Sequence, residues 1–231
     1  MKLIRKLLLV ISAIAVSACA TRQQPPLDFS KDSLTSPQNQ TVGIYVTYPN
    51  KADTYLDGAN CLLCMATASI ANQSLTAHTQ TLSLSDLNSL KQDLLKRLQL
   101  NNTQVTLIDK KIDLSSLEKF STDKPNYAHL DYRPLKNNLK VNKLLVIEVT
   151  RIGFQRNYAD YVPTSAPKAH LAGVGYIVDL STNAYNWYQS NKESKSAGKQ
   201  WDEPPSFPGL TNAYYEVIEQ YKDHVLNAFN K

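Results

Sequence analysis

The feature that most constrains the fold is an apolar run near the middle of the chain. Residues 143–152 read KLLVIEVTRI, a nearly continuous series of Leu, Val and Ile. A short run of this kind is typical of a strand that lies inside a sheet and is covered on both faces. The run therefore predicts the central strand of a sheet.

The residues before this run predict a strand, two helices and a second strand. Residues 41–48 alternate β-branched and aromatic side chains, which favours a strand, and leucines recur at helical spacing between Leu87 and Leu98. The expected elements are a strand at 41–48, a loop to residue 60, a buried helix at 61–78, a helix at 85–100 and a strand at 104–108. This order is typical of an α/β layer.

The residues after the run predict a hairpin and a last helix. Two strand-like segments, 169–180 and 184–190, flank the polar turn Ser181-Thr182-Asn183. Near the end, a helix that Thr211 or Asn212 can cap places its apolar side chains in one stripe. The stripe consists of Tyr214, Ile218, Tyr221, Val225 and Phe229. We therefore expect an α/β (α+β) fold, a single mixed sheet with helices packed on it, over residues 42–231.

The N-terminus carries a targeting signal. Lys2, Arg5 and Lys6 precede the uncharged run 7–16, which is too short to cross a bilayer that needs about 20 helical residues. The run ends in Val-Ser-Ala before Cys19, and this resembles the lipobox of bacterial lipoproteins.

The lipobox resemblance implies that residues 1–18 are a signal peptide and that Cys19 becomes the lipidated N-terminus. Two or three acyl chains hold a protein at a membrane almost permanently. Ala20 follows the cysteine, and the family rule for that position implies the outer membrane, with the domain facing the periplasm. Residues 20–41 are polar, contain three prolines and predict a disordered tether, so the lipidated cysteine and tether cover 19–41.

Charge argues against a nucleic-acid partner. Removal of residues 1–18 takes away three of the 25 Lys and Arg residues and none of the 20 Asp and Glu residues, which leaves 22 against 20. A nearly neutral chain without a basic stripe lacks the electrostatic footprint of a nucleic-acid-binding protein.

Cys61 and Cys64 form a C-x-x-C pair at the start of the expected 61–78 helix. Four interpretations stay open: a thiol oxidoreductase, a structural disulfide, a pair of buried reduced cysteines, and an oxidised pair that only caps the helix. The four histidines show no metal-ligand spacing and the chain has no G-x-S-x-G motif. We therefore expect no metal, no cofactor and no catalytic residues.

The segment 151–167 reads as an exposed loop rich in Arg and aromatic residues, a composition that favours partner contact. The candidate contact residues are Arg151, Phe154, Arg156, Tyr158, Tyr161 and Trp201. The last of these lies in the proline-rich segment 201–209, which either docks a partner or straps the last helix to the sheet.

The order of elements resembles small α/β domains of periplasmic proteins: the TolB N-terminal domain, the curli secretion lipoprotein and the penicillin-binding-protein activator lipoproteins. That resemblance implies contact with other envelope proteins or assembly into rings. We therefore expect a non-catalytic interaction or assembly factor of the cell envelope, bound to the membrane through Cys19. A carrier of a lipid or small apolar ligand and a thiol enzyme are the alternatives.

Overall fold

A computed structural model describes residues 24–35, 40–100, 103–198 and 200–230. It contains one mixed sheet with helices packed on it, which confirms the expected fold class. The strands are β1 (Thr41–Thr47), β2 (Asp53–Asp57), β3 (Gln104–Leu107), β4 (Lys143–Ala159), β5 (Val162–Pro163), β6 (Lys168–Asp179) and β7 (Tyr185–Ser196).

Strand β4 organises the sheet because it is long enough to pair with two strands end to end. Its first half pairs with β1 in parallel, from Val42 opposite Lys143, and its second half pairs with β2 in parallel, from Asp53 opposite Gly153. On its other side β6 runs antiparallel along almost the whole strand, with an irregularity between Val149 and Arg151. The strand order is β3-β1-β4-β6-β7, with β2 in line with β1.

The central-strand prediction is confirmed, and so is the hairpin of β6 and β7 around residues 180–184. The helices are α1 (Asp32–Thr35), α2 (Leu62–Ala71), α3 (Gln73–Thr79), α4 (Asn88–Gln99), α5 (Leu135–Leu139) and α6 (Pro208–Asn227). Short 3-10 turns lie at Ser85–Leu87 and at Leu114–Ser116.

Two apolar layers cover the first half of β4. On one face, α4 and α6 pack on the sheet, and the α6 stripe that the sequence predicts is buried from Tyr214 to Phe229. On the other face, the segment 108–141 covers Leu144, Val146 and Tyr176. Helix α6 begins at Pro208, ahead of the expected cap at Thr211 or Asn212, because proline fits the first helical position.

Three sequence expectations need correction. Strand β2 occupies part of the expected loop before residue 60. The expected helix 61–78 is two helices, and α2 is exposed. Residues 24–35, which were assigned to the tether, pack on the domain: Leu27 pairs with Tyr188, and the Phe29 ring lies 4.9 Å from that of Phe229. Leu34 of the same segment is also buried in the main core.

Candidate docking face

Helix α2 lies at the end of the molecule where β4 finishes, and it has no charged residue. No Asp, Glu, Lys or Arg occurs between Asp57 and Asp86. Of the helix residues, only Cys64 and Ala68 are buried. The large exposed hydrophobic side chains of this end are Leu62, Leu63, Met65, Ile70, Tyr161 and Val162, which we call the apolar cap.

The exposure of the cap is large. Leu62, Leu63 and Ile70 are 87%, 67% and 75% exposed. Burial of each such side chain is worth about 1.5–3 kcal/mol. An uncharged helix is normally buried on all sides, whereas a surface helix carries charged residues on its outer face. The outer face of α2 therefore has the composition of an interface.

A small apolar cluster holds α2 to the sheet. Cys64 and Ala68 pack with Ala59 and Tyr158, apart from the main core. The structure places a disulfide between Cys61 and Cys64, and Cys61 Sγ accepts a hydrogen bond of 2.9 Å from the backbone N–H of Cys64. The pair thus closes and caps the first turn of the helix.

Asn72 fixes the other end of α2. Its side-chain amide donates to Ala68 O at 2.7 Å and to Tyr158 Oη at 2.6 Å. Its carbonyl oxygen accepts from Arg156 Nη1 at 3.0 Å, and the Arg156 guanidinium lies 4.8 Å from the centre of the Trp201 ring. Because Asn72 is buried and its amide is bonded on both sides, the joint between α2 and α3 is held in one geometry.

The turn after β4 completes the cap. Strand β4 pairs with the short strand β5, and Tyr161 and Val162 stand at this turn. The Tyr161 hydroxyl lies 3.5 Å from Cys61 Sγ. The helix and the hairpin turn therefore meet at this end of the molecule.

Beneath this end, β2 is held to β4 by a polar cluster that we call the Asp57 clamp. Arg151 binds Asp57 through two contacts of 2.7 and 3.1 Å, and Gln155 Nε2 donates to Asp57 at 2.7 Å. The Arg151 guanidinium also lies 4.1 Å from the centre of the Tyr55 ring. The hydrogen bond from Arg151 lowers the pKa of Asp57, against the effect of partial burial. The Asp57 carboxylate is thus charged, and its oxygens are already bonded to Arg151 and Gln155.

His170 lies beside the clamp on β6. It is 1% exposed, its Nδ1 contacts Ser194 Oγ at 3.1 Å, and its Nε2 has no hydrogen-bond partner among the described residues. Burial, followed by the charges of Arg151 and Lys192, lowers the pKa of His170 to about 4. The imidazole is neutral at pH 7, and a substrate in solvent does not reach it in this structure.

A groove runs between the outer edge of β2 and helices α2 and α3. Its volume is about 640 Å³. Its walls include Tyr55 on the strand and Met65, Ser69, Thr76 and Ala77 on the helices. This groove continues into the apolar cap through Met65.

The structure separates the predicted contact residues into four groups. The expectation of an exposed loop at 151–167 is wrong, because β4 continues to Ala159. Phe154 is 0% exposed and packs on Tyr214, so it is not available for contact.

Of the other predicted contact residues, Arg151 belongs to the clamp, while Arg156, Tyr158 and Trp201 hold the α2–α3 joint. Tyr161 is exposed in the cap, and partner contact there stays a prediction. Trp201 and the buried Phe207 fit the strap interpretation of 201–209. Cys19 and the signal peptide lie outside the described residues.

Sequence reasoning missed the exposed face of α2. The uncharged composition of 61–78 predicts burial, because a helix without charged residues normally lies inside a fold. The missing information was tertiary: α4 and α6 already fill the helical layer over the first half of β4. The signal that identifies the face is the combination of an uncharged run and high exposure.

Large side chains occupy the middle of the space between α6 and the sheet. Between α6 and the sheet, Trp187, Tyr214 and Tyr221 are almost completely buried side chains. Within the described ranges there is no group of three or more His, Cys, Asp and Glu residues placed to hold a metal ion. No helix in the same ranges has the length and hydropathy needed to cross a membrane.

Comparison with known proteins leaves the family open. No family model matches the chain, and no curated protein matches it. A protein from Xanthomonas campestris with a domain of unknown function is 9% identical at a TM-score of 0.43, over 90% of this chain and 89% of that chain.

Two further solved structures are similar at lower scores. The PelC dodecamer from Paraburkholderia phytofirmans is 10% identical at a TM-score of 0.33, over 90% of this chain and 95% of that chain. A lipoprotein from Neisseria meningitidis is 10% identical at a TM-score of 0.29, over 78% of this chain and 99% of that chain. At these TM-scores the similarities assign neither a family nor a function to this chain.

Proposed function

We propose that this chain is an outer-membrane lipoprotein, anchored through Cys19 and facing the periplasm, that acts as a non-catalytic interaction or assembly factor of the cell envelope. The apolar cap is its docking face. The observation that carries the proposal is the exposed, uncharged outer face of α2. A monomeric soluble protein rarely exposes a contiguous apolar patch without a partner.

A protein partner suits the cap better than a lipid surface. Helices that lie in a membrane interface combine an apolar face with a Lys- and Arg-rich polar face. Helix α2 has no basic residue, and small residues such as Ala66 permit close approach of another backbone. The partner is therefore an envelope protein with an apolar surface of its own.

The test is in-cell photocrosslinking of the lipidated protein. A photoreactive phenylalanine derivative replaces Leu63 in the cap, and the matched control replaces Gln220, an exposed residue of α6. We expect a reproducible envelope protein attached at position 63 and not at position 220. A Cys19→Ala form, exported as a soluble periplasmic protein, should lose the crosslink if the anchor brings the partner within reach.

A charged residue introduced into the apolar cap provides a second test. Ile70→Lys should abolish the crosslink at position 63, whereas Gln220→Lys should leave it unchanged. Crosslinks only between copies of this chain would replace the proposed partner by a ring, and crosslinks only to lipid would replace it by the membrane. An unchanged pattern in Ile70→Lys would contradict the proposal.

A further inference from the structure

The sheet lacks one strand beside β2. Beyond the first half of β4 lie β1 and then β3, with Gln104 opposite Thr41. Beyond the second half lies β2, and across the described ranges no strand pairs with its outer edge. In this part of the chain, the position beside β2 that continues the line of β3 therefore holds no strand, and we call it the vacant position.

The outer edge of β2 presents backbone groups for pairing. The N–H of Thr54 bonds to the side chain of Asp53 at 2.9 Å, so it points away from β4. Amide groups on one side of a strand recur at every second residue, so those of Leu56 point the same way. An edge with no strand beside it is a template for another extended chain, which would replace the Asp53 side chain as the partner of the Thr54 N–H.

Two glycines hold the edge in this position. Gly153, with φ +142°, stands opposite Asp53, and a Cβ there would lie 2.0 Å from Asp53 O. Gly58, with φ +94°, follows β2, and a Cβ there would lie 2.0 Å from Tyr158 O. Both ends of β2 thus depend on close backbone approach, which a side chain would prevent.

We propose that the β2 groove binds an extended, uncharged segment of another envelope protein, which adds to the sheet as a strand beside β2. The segment contributes backbone hydrogen bonds to Thr54 and Leu56, and its alternate side chains pack on Met65, Ser69 and Ala77. This inference rests on the proposed function and specifies the form of the partner.

The charges of the groove define the middle of the bound segment. The acidic residues of the lining, Asp53 and Asp57, stand at the two ends of β2. Asp57 is engaged by the clamp, and Asp53 accepts a hydrogen bond from Gln80 at 3.2 Å. Between them the lining is uncharged, so a charged side chain that faces the helices would lose hydration without gaining a partner.

The tether of this chain does not reach the vacant position. It joins the domain at Leu27 beside β7, the opposite edge of the sheet, five strand spacings or about 24 Å away. The perpendicular offset along the strands, from the level of Val146 to that of Gly153, is about 23 Å, so the two together give a distance of about 33 Å. Cys19 lies eight residues before Leu27, a span of at most about 28 Å. The remaining undescribed segments have four residues or fewer.

A second copy of the chain is disfavoured by charge. In an antiparallel pair of two β2 strands centred on Tyr55, Asp53 of each copy would lie opposite Asp57 of the other. Like charges directly opposite each other destabilise a strand pair. The segment therefore comes from a different protein.

The experiment selects peptides on the purified lipidated protein in detergent. The probe is a displayed library of random peptides of about nine residues, enough to cover a strand of typical length. We expect selected peptides with uncharged centres that bind the protein and shift the NMR signals of Thr54 and Leu56. Ala77→Trp, which fills the groove, should weaken binding by about tenfold or more, while Ser74→Trp on the same helix should leave it unchanged.

Backbone methylation separates strand addition from side-chain contact. Methylation of alternate peptide nitrogens should weaken binding by about tenfold on the edge that faces β2 and little on the other edge. Failure to select any peptide, equal effects of the two methylation series, or binding that survives Ala77→Trp would overturn the inference. Peptide-free self-association through β2 would also overturn it, in favour of a dimer.

The outcome is distinguishable from that of the proposed function. If peptides bind the groove but no envelope protein crosslinks to position 63 in cells, strand addition at the groove is supported and the proposed envelope function is contradicted. If the crosslink persists in Ala77→Trp cells and no peptide is selected, the envelope role stands and strand addition fails.

Discussion

Helices α6 and α2 contact the same sheet, yet their patterns differ. Helix α6 buries a stripe that includes Tyr214, Val217 and Ile218, and it turns charged residues such as Glu219 to solvent. Helix α2 buries Cys64 and Ala68 and presents Leu and Ile to solvent. The pattern of α6 is complete within one chain, whereas we propose that another surface covers the outer face of α2.

The largest expected effect compares the same chemical change in the two helices. Ile218 is 0% exposed and Ile70 is 75% exposed. Ile218→Ala should lower the free energy of unfolding by about 2–5 kcal/mol through lost burial and a cavity. Ile70→Ala should change it by less than about 0.5 kcal/mol. Urea unfolding of both variants measures this, and equal losses would show that α2 is buried in the free protein.

The second expected effect is a loss of folding stability in acid, which the buried His170 causes. His170 has its pKa lowered to about 4, against 6.5 for the free side chain. The unfolded state therefore binds the proton first, so stability is unaffected above pH 6.5 and falls as the pH drops from 6.5 to 4. The loss reaches about 3 kcal/mol.

Substitution checks the assignment to His170. In His170→Gln that fall should vanish, while the exposed His129→Gln should keep it, as measured by urea unfolding at pH 7 and pH 4.5. An unchanged pH dependence in His170→Gln would place the effect elsewhere. The groups that face His170 are Arg151, Lys192 and Asp57, and these stay in both variants.

These two ends of the sheet also differ in how far the sequence predicts them. The first half of β4, the hairpin and the α6 stripe follow from periodicity, because their burial is set by local pattern. Strand β2 was missed since its five residues, DTYLD, carry acidic ends and are held by the clamp rather than by an apolar face. The local sequence pattern does not show that Asp57 pairs with a residue as far along the chain as Arg151.

The candidate site was predictable only in part. The C-x-x-C pair at the start of a helix was identified, but its place at an exposed end was not, because exposure of α2 depends on which helices already cover the sheet. The Arg- and Tyr-rich composition of 151–158 favours a loop, whereas these residues lie in β4. Their alternation along β4, with Phe154 inside and Arg151 on the other face, carried the correct signal.

A third effect tests the disulfide at the start of α2. For a loop as short as that between Cys61 and Cys64, chain entropy gives at most about 2 kcal/mol. The double variant Cys61→Ser, Cys64→Ser should lose no more than this in urea unfolding and keep its crosslink at position 63, since Ser is a good N-cap. Loss of a thiol-exchange activity in the variant would support the oxidoreductase alternative instead.

The smallest expected effect concerns the Asp57 clamp, which holds β2 to β4. The Arg151 and Asp57 side chains are 31% and 41% exposed, so solvent screens their attraction. A double-mutant cycle with Arg151→Met and Asp57→Asn should give a coupling of about 0.5–1 kcal/mol. The more exposed pair Lys195–Glu216, at 43% and 53%, serves as the control and should give a smaller coupling.

The region in which hydrogen exchange changes is a stronger test of the clamp than the size of the coupling energy. Hydrogen exchange should become faster at the amides of β2 in Arg151→Met while those of α6 stay unchanged, because the clamp holds one edge strand and not the core. Faster exchange in α6 would mean that the two ends of the sheet unfold together. In that case α2 would be part of the same cooperative unit as α6, and its uncharged face would need an explanation within the single chain.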